Sequence, residues 1–258
     1  MGTILSTIAE QVGTITLKNG KVNPLSKALI DEIQLELEHM KSRSVRVVVL
    51  RAEKGVKVFS AGHDVTELPT NGRDPLTYND PLRQLIRAIE KYPVPIIAMI
   101  EGSVWGGACE LVMCCDLIVA AEDSTFAITP AKLGVPYDIY GMLNFIKVLD
   151  IHLLKEMLFG AQPVTAQRLA ECGVVNRIAT RDQLETATMN LAQQIKRTSP
   201  LVQCILKEEL RVLSSASPLN PEAYERIQSL RREVYDSSDY QEGIRAFKEK
   251  RDPEFQGK

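Results

Sequence analysis

Apolar positions recur along this chain with two different periods, and the way these periods alternate predicts its architecture. Residues 4–17 alternate apolar and polar around Val12-Gly13, the pattern of a two-stranded hairpin. Over residues 26–40 the spacing becomes helical: Leu29, Ile30, Ile33, Leu37 and Met40 share one face, with Ser26 placed to cap it. A continuous apolar run at 45–50 then reads as a buried strand. A stretch rich in Pro, Gly, Asn and Asp (68–75) precedes a second helix over 81–91, which Pro93 and Pro95 end. Ile96–Ile100 is the next strand, followed by a helix over 107–114, a strand over Leu117–Ala121 and an irregular stretch to Tyr140. Strands separated by helices predict a largely parallel α/β fold. After about Asp182 the pattern changes to successive helices (183–196, 201–213, 221–235 and 240–250) with no strand between them. No internal repeat or low-complexity segment interrupts this order.

Composition narrows the function classes. A chain of 258 residues, 45 % of them apolar, is long enough to bury a full core. Charged residues make up 25 % and the net charge is −2, so a global basic field for nucleic acid is absent. Short clusters such as Arg231-Arg232 and Lys248-Glu249-Lys250-Arg251 read as solvated helix faces. Five cysteines lack the paired spacing of a zinc site, and no metal is expected. Cys109, Cys114 and Cys115 lie in an apolar helical stretch and read as reduced core thiols, which suits a cytoplasmic protein. No stretch approaches about 20 apolar residues, so neither a leader nor a membrane partner is expected.

Two glycine-centred turns carry the candidate chemistry. The first is Val58-Phe59-Ser60-Ala61-Gly62-His63-Asp64-Val65 and the second is Glu101-Gly102-Ser103-Val104-Trp105-Gly106-Gly107-Ala108-Cys109-Glu110. Each follows a strand-like run and leads towards a helix. Glycine allows a sharp turn and lets a ligand approach bare amides. Two such turns could aim two N–H donors at one oxygen, the geometry that stabilises an oxyanion in carbonyl or thioester chemistry. Alone, either motif could equally be a tight strand–helix connection.

With these turns go Asn23-Pro24-Leu25-Ser26, Cys115-Asp116-Leu117-Ile118-Val119-Ala120-Ala121 and Leu133-Gly134-Val135-Pro136-Tyr137. Together they make the chain resemble the crotonase (enoyl-CoA hydratase/isomerase) superfamily over nearly its whole length. Phe59-Ser60-Ala61-Gly62-His63-Asp64, Glu101-Gly102-Ser103-Val104-Trp105-Gly106-Gly107 and Leu133-Gly134-Val135-Pro136-Tyr137, with Leu76-Thr77-Tyr78-Asn79-Asp80-Pro81-Leu82-Arg83-Gln84, resemble most its branch that decarboxylates methylmalonyl-CoA. The resemblance implies a crotonase-like ββα spiral over residues 1–195, followed by a C-terminal helical region over 196–258 that makes the contacts of a trimer or a dimer of trimers. It implies an acyl-CoA substrate and no separate cofactor, CoA being part of the substrate.

The resemblance also implies roles for residues. The backbone N–H groups of His63 and Gly107 match the oxyanion donors, and Gly107 also opens a helix, where unpaired amides favour negative charge. This role of His63 belongs to its main chain, so proton transfer by the imidazole is not expected. Ala61, Gly62, His63, Asp64 and Val65 match the segment that grips CoA; Lys57 could meet a phosphate, and Lys250 matches a position that reaches CoA near the subunit boundary. Glu110 matches the first of two hydratase glutamates, but the second position holds Pro130, which cannot ionise. Paired acid–base hydration thereby loses half its machinery, and Glu110 is left as either a catalytic or a substrate-ordering carboxylate. Decarboxylation asks for less: Tyr137 would orient the leaving carboxylate and Thr129 would line its pocket. The expectation is therefore decarboxylation of a malonyl-type CoA thioester, methylmalonyl-CoA preferred. The alternatives are a hydratase or isomerase reaction on an enoyl-CoA, and a non-catalytic acyl-CoA-binding subunit.

Overall fold

The structure is a computed structural model and describes residues 2–64, 67, 79–130, 137 and 139–215, together with positions 222, 229, 238, 242, 249, 251, 254 and 256–258. The helices expected over 221–235 and 240–250 and the loop at 68–75 lie outside the described residues, save for single positions in the two helices. The chain begins with β1 (Ile4–Ala9), β2 (Val12–Leu17), α1 (Lys27–Ser42), β3 (Val47–Ala52) and β4 (Val58–Ser60). It continues through α2 (Pro81–Glu90), β5 (Ile96–Ile100), β6 (Ser103–Trp105), α3 (Gly107–Met113), β7 (Leu117–Ala121) and β8 (Thr125–Ala127). Then come α4 (Ile139–Val148), α5 (Ile151–Gly160), β9 (Val164–Thr165), α6 (Ala166–Glu171), β10 (Arg177–Ala179), α7 (Arg181–Lys196) and α8 (Pro200–Leu213).

These strands form two sheets. A six-stranded sheet runs β1-β2-β3-β5-β7-β10, parallel except for the β1–β2 hairpin, and a four-stranded sheet runs β4-β6-β8-β9. The continuous apolar runs are explained by burial on both faces. Val48, Leu50, Ala98 and Ile100 point into the main core with α1, α2 and α3. Their neighbours Val47, Val49, Ile97 and Met99 pack with Leu184 and Ala192 of α7 on the other face.

Local signals hold at the helix starts. Ser26 caps α1 by accepting from Leu29 N–H, and Asp80 caps α2 ahead of Pro81. The hairpin forms, but its turn is Glu10-Gln11, both at positive φ, and not Val12-Gly13. Gly13 belongs to β2, where a Cβ would fall 2.5 Å from Met40 Sδ, so this glycine serves the packing of α1. The irregular stretch expected after Ala121 contains a short strand, β8.

Candidate active site

The four-stranded sheet brings the two glycine turns together. β4 and β6 are adjacent and parallel, so the turns that follow them leave side by side at the carboxyl end of the pair. Gly62 (φ +86°) is the point of closest approach. A Cβ there would fall 2.5 Å from Trp105 O and 3.0 Å from Gly107 N, so the absence of a side chain is what lets the turns meet. A Cβ on Gly107 would in turn lie 3.6 Å from His63 N.

Hydrogen bonding then singles out two amides. Ala61 N–H donates to Val22 O, Gly62 N–H to Ser60 Oγ, and Gly106 N–H to Ala127 O. Among the described residues, no protein acceptor takes the N–H of His63 or of Gly107. Two neighbouring unengaged donors on separate turns are what an oxyanion needs. Thr129 stands at the same place, its Oγ1 3.4 Å from where a Gly106 Cβ would be.

Glu110 lies one helical turn beyond Gly107 and is fully buried. The Arg83 guanidinium grips it from α2, Nη2 to Oε2 at 2.6 Å and Nη1 to Oε1 in a second, shorter bond. Asn144 Nδ2 of α4 donates to Oε1 at 2.9 Å. Both carboxylate oxygens are thus engaged, by a buried bidentate pair. Tyr137 lies against this cluster. Its ring meets Phe145 edge-on, with centroids 5.2 Å apart at 73°. A Cβ on Gly141 would fall 2.6 Å from Tyr137 Cδ1 and 2.9 Å from Arg83 Nη2, so Gly141 is the gap in α4 that admits both side chains.

The His63 side chain is half-buried, with Nε2 3.2 Å from Asp80 Oδ2 and Nδ1 3.2 Å from Asp64 O. Burial alone would lower its pKa, but the hydrogen bond and charge of Asp80, the Asp64 carbonyl and the charge of Glu67 outweigh it, and the net shift is upward from 6.5. Burial pushes the thiols of Cys109 and Cys115 up to about 12, so they are poor nucleophiles. The five cysteines are all free.

The similarity to known proteins follows these lines. Residues 7–258 match the enoyl-CoA hydratase/isomerase family. The chain belongs to that family. This enoyl-CoA hydratase/isomerase family member is 51 % identical over 237 residues to the methylmalonyl-CoA decarboxylase of Escherichia coli (strain K12), covering 92 % of this chain and 91 % of the relative. Among solved structures it is similar to methylmalonyl-CoA decarboxylase complexed with 2S-carboxypropyl-CoA, at 48 % identity and a TM-score of 0.82, covering 100 % of this chain and 99 % of that one. The same enzyme with 2-nitronate-propionyl-CoA gives 48 % identity and a TM-score of 0.82, covering 99 % of each chain. The fold is therefore the crotonase fold, as the resemblance implied.

The candidate site brings Ala61, Gly62, His63, Gly107, Glu110 and Thr129 near one another, with Tyr137 reached through Gly141 and Arg83. Asp64 follows directly, its carbonyl accepting from the His63 ring, while Lys57 is exposed on β4's approach. Val65 and Lys250 lie outside the described residues. Sequence reasoning missed Asp80, Arg83, Gly141 and Asn144. Arg83 sits at the edge of the apolar stripe of Leu82, Leu85, Ile86 and Ile89 on α2 and is buried with them, which the helical period alone does not reveal.

Proposed function

We propose that this chain decarboxylates methylmalonyl-CoA to propionyl-CoA, with the thioester enolate held by the N–H groups of His63 and Gly107. The observation that carries this reading is the meeting of the two turns at Gly62, which leaves two adjacent amides without a protein acceptor. Breaking the C–C bond sends its electron pair into the thioester carbonyl and releases neutral carbon dioxide. The oxygen becomes an enolate oxyanion, and a proton then returns to the α-carbon. Donors aimed at that oxygen act where charge develops, and removing one such donor typically costs about 10²- to 10³-fold in kcat.

This chemistry needs no metal and no separate cofactor. It needs the carboxylate held perpendicular to the thioester plane, so that the breaking bond overlaps the carbonyl. Tyr137, braced by Phe145 and seated over Gly141, is our choice for that task, with Thr129 lining the same pocket. The binding of Glu110 by Arg83 and Asn144 favours a positioning role over that of a base, and Pro130 offers no second acid. Both features weigh against hydration. Backbone groups of residues 61–65, with Lys250, are the proposed CoA contacts. Among the described residues no helix is long and apolar enough to cross a membrane. Five free thiols, one of them exposed, fit the cytoplasm as the proposed compartment.

A direct product assay tests the reading, with methylmalonyl-CoA and crotonyl-CoA offered at matched enzyme concentration. Formation of propionyl-CoA with negligible hydration is expected, and Tyr137→Phe should lower kcat by about tenfold or more. Efficient hydration without decarboxylation would overturn it.

A further inference from the structure

Helix α2 and its N-cap reach both of the residues whose amides are assigned to the enolate oxygen. Its N-cap, Asp80, divides its carboxylate between two tasks. Oδ1 accepts the N–H groups of Leu82 and Arg83 at 2.9 and 3.4 Å, while Oδ2 faces His63 Nε2 at 3.2 Å. The other ring nitrogen faces Asp64 O, so both nitrogens point at atoms that only accept, and the doubly protonated imidazole satisfies both. Next along α2, Leu82 abuts the second turn: a Cβ on Gly107 would fall 2.7 Å from Leu82 Cδ2. One residue further, Arg83 holds Glu110, in the first turn of the helix that Gly107 opens.

The peptide unit that matters joins Gly62 to His63. Its carbonyl, Gly62 O, accepts from Leu25 N–H at 2.8 Å, which tethers one end. Its N–H points the opposite way, across a trans peptide, towards the site. A parallel bridge between Leu25 and His63 holds the backbone on that side, but neither it nor the bond to Gly62 O engages the His63 N–H itself, and the glycine before it offers little torsional resistance. The His63 ring adds a tether from the side chain of the residue that carries this N–H.

We propose that Asp80 is a positioning residue for the reaction, holding the His63 side chain so that the His63 peptide N–H stays aimed beside that of Gly107. The proposal rests on the oxyanion reading given above. Productive geometry tolerates displacements of only about 0.5 Å, so a rocking donor loses part of its effect without being removed. Glu67, the other described carboxylate whose charge acts on His63, already accepts from Lys27 N–H at the start of α1.

Two variants separate this role from helix capping. Asp80→Asn keeps a capping oxygen but turns its other arm into a donor; His63→Ala removes the ring and leaves the cap intact. For each, kcat and KM are measured on methylmalonyl-CoA together with the Kd of two probes. The first is 2S-carboxypropyl-CoA, a thioether with no thioester oxygen. The second is 2-nitronate-propionyl-CoA, which keeps the thioester carbonyl and conjugates it with an ionised nitronate on the α-carbon, so that the thioester oxygen takes part of the negative charge. Each variant should lower kcat about 5- to 10-fold with little change in KM, short of the loss from deleting a donor. Each should weaken the nitronate by the same factor and leave the thioether unchanged. The double variant should lose no more than either single one, because both break one link.

Parent-like kinetics in Asp80→Asn, equal weakening of both probes, or losses that multiply in the double variant would each overturn the proposal while leaving the oxyanion assignment intact. If the parent enzyme binds the nitronate no more tightly than the thioether, the oxyanion reading itself fails. His63→Ala keeps the proposal testable if Asp80→Asn does not fold.

Discussion

At Gly62 one missing methyl group lets the two glycine turns meet. The atoms an alanine would strike there, Trp105 O and Gly107 N, are both backbone, so no side chain can swing aside, and the +86° φ is itself costly for an L-residue. Gly62→Ala should therefore push the donors apart, lowering kcat by about 10²-fold and stability by about 1–3 kcal/mol. Steady-state kinetics and urea unfolding check the two halves, and a parent-like kcat would detach Gly62 from the chemistry. His63 gives a pH prediction of definite sign. Its pKa is raised in the folded protein, so the stability gained from pairing with Asp80 is fully present below the unfolded value of 6.5 and is lost as pH rises through the folded value. With only three histidines in the chain, the His63 ring signal can be followed by NMR. It should titrate above 6.5 in the parent. In Asp80→Asn burial remains while the largest upward contribution is gone, so the midpoint should fall. An unmoved midpoint would mean that Asp80 is not the partner.

Three helices converge on one ion pair: α2 supplies Arg83, α3 Glu110 and α4 Asn144. Arg83 and Glu110 are almost wholly withdrawn from water, with side-chain exposures of 3 % and 0 %. Breaking one partner of such a pair strands the other, so Glu110→Gln should cost about 3–5 kcal/mol, whereas the paired change Arg83→Met/Glu110→Leu should recover most of that loss. Denaturant midpoints of the three proteins decide it; equal stability of Glu110→Gln and the parent would contradict the buried-pair account. None of this junction was legible as a junction in the sequence. The long elements were, because α1, α7 and the apolar runs of β3, β5 and β7 extend over enough residues for a period or a continuous run to stand out, and Ser26 marks a start. The four-stranded sheet was not, since β4, β6, β8 and β9 are only two or three residues long. Yet that sheet is what places the turns. The turns themselves were readable from their glycines, but which amides would be left unengaged depends on long-range acceptors such as Val22 O and Ala127 O, which no local pattern reveals.

Across the whole molecule the two faces of the large sheet are already covered, one by α1, α2 and α3 and the other by α7, so α8 has little core left to join. Polar contacts hold it: Lys207 Nζ pairs with Asp116 at 2.7 Å and also donates to Val94 O. Ile205 is its one buried residue, while Leu206, Leu210 and Leu213 are 50 %, 68 % and 48 % exposed among the described residues. Their spacing of four and three sets them on one helical face. An apolar stripe left open in this way calls for a cover, and α8 falls inside the region 196–258 proposed to make the oligomer contacts. A net charge of only −2 would not oppose association of like chains. The chain, 28.7 kDa as a protomer, should therefore sediment at three or six times that mass. Leu206→Glu/Leu210→Glu would place two charges on the stripe and should shift the protein towards smaller species. Because Lys250, the proposed CoA contact near the subunit boundary, lies in the same region, KM for methylmalonyl-CoA should rise in parallel, while any residual kcat reflects a site built from residues 61–144. A fully active protomer at 28.7 kDa would refute the assembly.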